Sequence, residues 1–305
     1  MLEKTMKQVL TKKINDWVST IDDEDVVKAI KDDLVITGGC FTSMIMNETP
    51  NDFDCYFKTK ESVLKVANYY VDLWRKTHKN RECYVLDCDN PRDHSEMVKK
   101  LDKGRVKIVI PSSGVSGDPD EVRASEELGV EDVKELTEDA VNEILEKEKK
   151  KYFPVFLSSN AITLSDGIQI VVRFFGEPNQ VHDTFDFVHT KAYYTKDGVV
   201  VPKEVYEAVI NKTLIYTGSK YPVCSLFRLR KFIARGWTIN AGQILKMAMQ
   251  ISELDLLDID VLSENLVGVD SLYFLNLIHQ FRNQQGNPDF NLTTQYVISV
   301  IDKIF

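Results

Sequence analysis

Residues 34–57 read LVITGGCFTSMIMNETPNDFDCYF, and the fold follows from how this stretch is parsed. Leu34, Val35 and Ile36 make a short apolar strand that stops at Gly38-Gly39. Phe41 to Asn47 suit a short helix, Pro50 ends it, and Phe53 to Phe57 resume as a strand with acids alternating into it. Side chains two apart on a strand share a face, so Asp52 and Asp54 present two carboxylates roughly 6.5–7 Å apart. Such a pair can hold a hard divalent cation, Mg2+ or Mn2+, which binds through one or two carboxylates plus substrate phosphates. Gly38-Gly39 ahead of a helix supplies what a triphosphate needs: no Cβ against close approach, and free backbone N–H groups.

Upstream, Met6, Val9, Leu10, Ile14 and Trp17, then Val26, Val27 and Ile30, fall at helical spacing, giving two helices within the first 32 residues. Downstream, an amphipathic helix is expected at 60–77, strands at 83–86 and 106–110, and a hairpin of 161–164 and 168–175 about the tight Asp166-Gly167 turn. Phe185 to Tyr194 read as a further strand. From 203 the pattern is helical: 203–212, 222–235, 241–254, 269–284 and 291–304. The expected class is α+β, a mixed sheet with flanking helices followed by an all-helical domain. The boundaries are 1–200, with an inserted segment at about 81–158, and 201–305.

The 305 residues carry 38 Lys and Arg against 47 Asp and Glu, a net charge of −9, which argues at first against a nucleic-acid partner. The average misleads, because residues 118–146 hold twelve acids against Arg123 and Lys134, a local charge of −10, and basic patches remain possible elsewhere. That stretch reads as a solvated helix with one buried face, behind a Gly, Ser and Pro-rich loop at 111–119. Cys40, Cys55, Cys83, Cys88 and Cys224 form neither a disulfide framework nor a zinc pair and read as reduced, buried thiols. No run approaches the ~18 apolar residues of a membrane span, and the charged N-terminus lacks a signal-peptide core, so a cytoplasmic protein with no membrane partner is expected.

Taken together, the Gly-Gly turn, helix and Asp-x-Asp strand resemble the signature of the DNA polymerase β-like nucleotidyltransferase superfamily. A second likeness narrows it. Asp186-Phe187-Val188-His189-Thr190-Lys191-Ala192-Tyr193-Tyr194 resembles the D-F-T-I-N-A-x-A-Y segment of class II tRNA nucleotidyltransferases and bacterial poly(A) polymerases. Pro222, with Arg228-Leu229-Arg230-Lys231-Phe232-Ile233-Ala234-Arg235-Gly236-Trp237, resembles their Arg-rich helix. The likeness covers about half of the chain. It implies transfer of NMP from an NTP to a hydroxyl with loss of pyrophosphate, the leading acceptor being an RNA 3′ end and the next a protein side chain. It also implies a phage or mobile-element setting. In that scheme Asp52, Asp54 and Asp186 are the catalytic and metal-binding residues, with Asp183 the runner-up for the third place. Gly38, Gly39, Ser43, Arg228, Lys231 and Arg235 bind nucleotide, the last three at helical spacing on one face.

Departures accompany the likeness. Thr42 and Ser43 stand where the tRNA enzymes carry Arg-Asp, and their nucleotide-selecting E-D-x-x-R helix has no counterpart. The third carboxylate's natural place, on the strand from Ile168, offers Gln169. These departures keep open a second reading, an inactive nucleotidyltransferase fold serving as a binding module, with the acidic stretch or Leu272, Phe274, Leu275, Leu277, Ile278 and Phe281 as partner contacts. His182 and His189 read as structural bystanders, and Tyr193, Tyr194 and Trp237 as core. Acceptor, base preference and oligomeric state are not legible in the sequence.

Overall fold

The first helices form where the spacing requires. In a computed structural model describing residues 2–77, 83–90, 103–110, 151–266, 278, 281–282 and 292–304, α1 (Glu3–Val18) buries Met6, Leu10, Ile14 and Trp17. The Asp23 carboxylate caps α2 (Glu24–Asp33) by accepting the Asp25 and Val26 N–H groups. β1 (Leu34–Thr37), α3 (Gly39–Ile45), β2 (Phe53–Phe57) and α4 (Lys60–Thr77) follow as the sequence anticipates. Among the described residues β3 (Tyr84–Asp87) and β4 (Val106–Val109) pair with each other as a separate two-stranded sheet.

The main sheet adds β5 (Pro154–Leu157), β6 (Ala161–Leu164), β7 (Ile168–Val171), β8 (Tyr193–Thr195) and β9 (Gly198–Val200), in the order β5-β6-β7-β2-β1-β8-β9. It is mixed: β2 and β7 run parallel and the other neighbours antiparallel. The β6–β7 hairpin turns on Asp166 and Gly167, both at positive φ (63° and 72°). A Cβ on Gly167 would come within 2.6 Å of the Asn51 carbonyl oxygen, so this turn is fitted against the entry to β2 and holds the backbone beside Asp52.

The two faces of the sheet differ. Ile36, Phe53, Cys55, Phe57, Ile168 and Ile170 point into the main core, with α1, α2 and α4 packed there. Val35 and Tyr56, on the other face, join a small cluster with Val181 of the short helix α5 (Pro178–His182). A helical C-terminal region follows: α6 (Lys203–Ile210), α7 (Pro222–Ala234), α8 (Ala241–Ser252), α9 (Ile259–Asn265) and α10 (Thr294–Ile304). Among the described residues no helix is long and apolar enough to cross a membrane.

The strand expected at 185–194 is corrected. Only 193–195 is strand; before it the backbone of Asp186 and Val188 pairs with the 215–217 segment, and Val188–Thr190 forms a single 3-10 turn whose last carbonyl accepts the Gly38 N–H. Phe187, Val188 and His189 are all buried, so the alternation of a half-exposed strand does not hold. β5, β9, α5 and α9 were not anticipated. The acidic stretch, the 111–119 loop and most of the helix expected at 269–284 lie outside the described residues. Ile278 and Phe281 are buried in the C-terminal core rather than offered to a partner, and all five cysteines are free and buried.

Candidate active site

The site grows from one row across the sheet. Register places Tyr193, Thr37, Asp54, Gln169 and Thr163 side by side on the face turned away from the main core. Thr37 is fully buried; its hydroxyl donates to the Ala192 carbonyl at 2.7 Å and lies 2.8 Å from His182 Nε2. With the hydroxyl hydrogen given to Ala192, the Thr37 oxygen is left to accept from His182 Nε2, so that a neutral ring carries its hydrogen there. Burial, assisted by the Lys191 charge, lowers His182 to about 4, in keeping with that neutral ring.

Gly38 follows Thr37 at φ +93°, and a Cβ there would stand 2.5 Å from Asp54 Oδ2. Glycine is therefore demanded twice, by the backbone and by the carboxylate that passes over it. Gly39 begins α3 in open space, exposed and with nothing near its missing Cβ. Ser43 lies one turn further along α3 and is half-buried.

Asp54 is the most perturbed carboxylate of this row. Burial, with the neighbouring Asp52 charge adding and the Arg228 charge opposing, raises it to about 7. Asp52 stands nearer solvent; desolvation raises it too, against the pull of Arg235. Both arginines come from α7 or its end, seven residues apart, about 10.5 Å along a helix axis. The helix that the sequence marks as basic thus brings one positive charge to each carboxylate. Lys231 is exposed on α7.

Asp186, buried at 5% relative exposure, accepts a hydrogen bond from Arg228 at 2.8 Å. Asp183 is exposed beyond the end of α5. Gln169 is in register with Asp54, on the strand where the family resemblance leads one to expect a third carboxylate. Among the described residues no three His, Cys, Asp or Glu side chains converge so as to hold a metal ion.

His189 is caged by the rings of Phe232, Trp237 and Phe187, with centroids at 4.6, 4.4 and 5.9 Å. It is 1% exposed, neither ring nitrogen has a hydrogen-bond partner among the described residues, and burial lowers it to about 4. Tyr194 and Trp237 are core, as expected, while Tyr193 is half-buried beside His182. Sequence reasoning missed Thr37 as the partner of His182, and also a charge hub in which Glu264 accepts from Arg105 at 2.7 Å and Arg173 at 2.8 Å. Only the position of Thr37 directly before Gly38 signalled the first; the hub joins residues distant in sequence and left no local mark.

Comparison with known proteins finds a family model, the Gabija anti-defense 2 family protein, matching residues 8–212. No curated protein matches the chain. Among solved structures the fold is weakly similar to the Thermotoga maritima CCA-adding enzyme complexed with tRNA, at 8% identity and a TM-score of 0.38, covering 79% of this chain and 45% of that one. A Bacillus stearothermophilus CCA-adding enzyme in complex with CTP gives 10% identity and a TM-score of 0.34, covering 82% and 47%. The apo form of a CCA-adding enzyme gives 10% and 0.39, covering 94% and 55%. The chain spans about half the length of these structures.

Proposed function

The chain belongs to the Gabija anti-defense 2 family, and from that premise we propose that it is a metal-dependent nucleotidyltransferase that moves NMP from an NTP to a hydroxyl group. The leading acceptor is an RNA 3′ end and the next a protein side chain, and in this reading the transfer would serve the anti-defence role that the family description names. One observation carries the reading: Asp54, raised to about 7 by burial, projects over a glycine whose Cβ would collide with it, between Thr37 and Gln169 on the open face of the sheet. A carboxylate buried at such a cost in stability marks a functional candidate. Two carboxylates fit a divalent cation, Mg2+ or Mn2+, held by Asp52 and Asp54, the latter lying over the backbone of Gly38 where a Cβ would exclude it.

The bound ion supplies charge neutralisation to the triphosphate and acidity to the attacking hydroxyl. The remaining work falls to the chain. Gly39 and Ser43 would receive phosphate oxygens, Gly39 with no side chain in the way, and Gly38 would serve the nucleotide through the turn that holds Asp54 beside them. Lys231 and Arg235 offset the negative charge of triphosphate or acceptor. Asp186 completes the site by fixing Arg228 toward Asp54.

Gln169 opposite Asp54 favours a second reading, an inactive fold retained as a binding module. Transfer of label from each α-32P NTP to total RNA and total protein, with Mg2+ or Mn2+, decides between them. Label incorporated by the wild type and lost in Asp52→Ala/Asp54→Ala is the expected result. No label in either pool, with no NTP-dependent rise in melting temperature, overturns the enzyme reading.

A further inference from the structure

Two metal ions impose a demand on charge that this site can be checked against. A pair of divalent cations brings four positive charges and needs several carboxylates on its inner side. Here Asp52 lies just ahead of β2, close enough for its charge to act on Asp54, and the position level with Asp54 on the neighbouring parallel strand is the neutral amide of Gln169. The remaining buried acid, Asp186, accepts from Arg228 at 2.8 Å, with its side chain 8% exposed. Consistently, no cluster of three potential ligands forms among the described residues.

We propose that this site is built for a single divalent cation, and that the Arg228 guanidinium, held by Asp186, replaces a second metal ion as the fixed positive charge beside Asp54. The inference rests on the nucleotidyl-transfer reading above. The charges lean the same way: Asp52, Asp54 and Asp186 bring three negative charges when ionised, Arg228 and Arg235 return two, and the single charge left over is far too small for a pair of divalent ions. Arginine suits the part because it stays charged at any working pH and its planar fork is preorganised by the carboxylate it grips. The Arg228 charge also acts on Asp54 and on Tyr56 two residues further along β2, so its influence covers the open face of that strand. Asp186 is then a positioning residue, acting through Arg228 rather than on an ion.

The test is a Mn2+ titration of the full chain without nucleotide, followed by electron paramagnetic resonance. Other acidic surface also takes up Mn2+, so the count that matters is the number of sites lost in Asp52→Asn/Asp54→Asn. One equivalent lost is the expected result. In a Gln169→Asp/Arg228→Met background the same pair of substitutions should remove two equivalents, since a carboxylate has been added and the competing cation removed. Gln169→Asp alone, a change shorter by one methylene, should still lose one and guards against misfolding of the double variant. Loss of two equivalents from the wild type, loss of none, or an unchanged single equivalent in a folded Gln169→Asp/Arg228→Met background overturns the proposal. Label transfer from NTPs is scored separately: one equivalent with no transfer in any pool keeps the single-ion site and removes the transferase reading, and transfer with two equivalents does the reverse.

Discussion

Replacing Asp54 with asparagine should stabilise the protein at alkaline pH while abolishing transfer. In the folded chain Asp54 is raised from 3.8 to about 7, first by burial and then by Asp52. The folded state therefore holds a proton that the unfolded chain has released between pH ~4 and ~7, so stability falls as pH rises through that window and levels off above it. Three pKa units at about 1.4 kcal/mol each make the full cost about 4 kcal/mol. The amide introduced by Asp54→Asn is neutral at every pH and escapes that cost. With roughly 2–4 °C per kcal/mol for a chain of this size, the variant should melt roughly 8–15 °C above wild type at pH 8, and within a degree or two of it at pH 4. Differential scanning calorimetry in EDTA at pH 4, 6 and 8 measures this, and the His182 and His189 titrations, common to both proteins, cancel in the difference. Saturating Mg2+ at pH 8 should raise the wild type toward the variant and leave the variant where it was, because an ion on the carboxylate replaces the proton. A melting difference equal at pH 4 and pH 8, or a variant less stable at pH 8, would refute the argument that Asp54 is held protonated by its surroundings.

The caged histidine titrates in the opposite sense: His189 falls from 6.5 to about 4, so stability is lost as pH drops between those values. His189→Phe should remove up to about 3 kcal/mol of that acid sensitivity, seen as a flatter melting profile from pH 7 to 4. Gly38→Ala should lose label transfer and about 1–3 kcal/mol of stability, through its φ of +93° and the clash with Asp54, whereas Gly39→Ala should melt like wild type. Arg228→Met leaves the buried Asp186 without its partner; because the arginine is 42% exposed, the loss should be only about 2 kcal/mol, and adding Asp186→Asn should recover more than half of it in urea titration.

Much of the fold was legible because strong periodicity and turn chemistry coincide. Lys60–Thr77 shows both an apolar stripe and a preceding strand, and Asp166-Gly167 lies between two runs of alternating residues. The segment at 185–194 misled for a definite reason: Phe185, Phe187 and the Tyr193-Tyr194 pair carry strand propensity, yet the backbone between them serves Gly38 and the 215–217 segment, partners that one sequence does not reveal. β5 was hidden by Pro154, which sits at the first residue of an edge strand, where a missing N–H costs nothing. In the site, the Asp52 and Asp54 pair was legible from spacing, and Gln169 stood out only against the family resemblance, which leads one to expect a carboxylate there. The Arg228–Asp186 contact was not, since each residue had a plausible separate role and only the packing of α7 joined them.

The division of the sheet explains why chemistry and strain gather at one place. Its inner face buries a continuous apolar core and bears most of the hydrophobic stabilisation, while on the outer face the buried apolar cluster is reduced to Val35, Tyr56 and Val181. Asp54 projects from that second face, too covered to be fully hydrated and too sparsely paired to be compensated. The main relief within the chain comes from α7 through Arg228, so the ionisation of Asp54 is coupled to the seating of a helix from the C-terminal region. A nucleotide drawing on Arg228, or a metal ion drawing on Asp54, would then act on the same contact from opposite ends. Any ligand that neutralises Asp54 should weaken the pull of the sheet on α7, detectable as faster amide exchange at 228–232 in the presence of Mg2+, and Asp54→Asn should abolish that response.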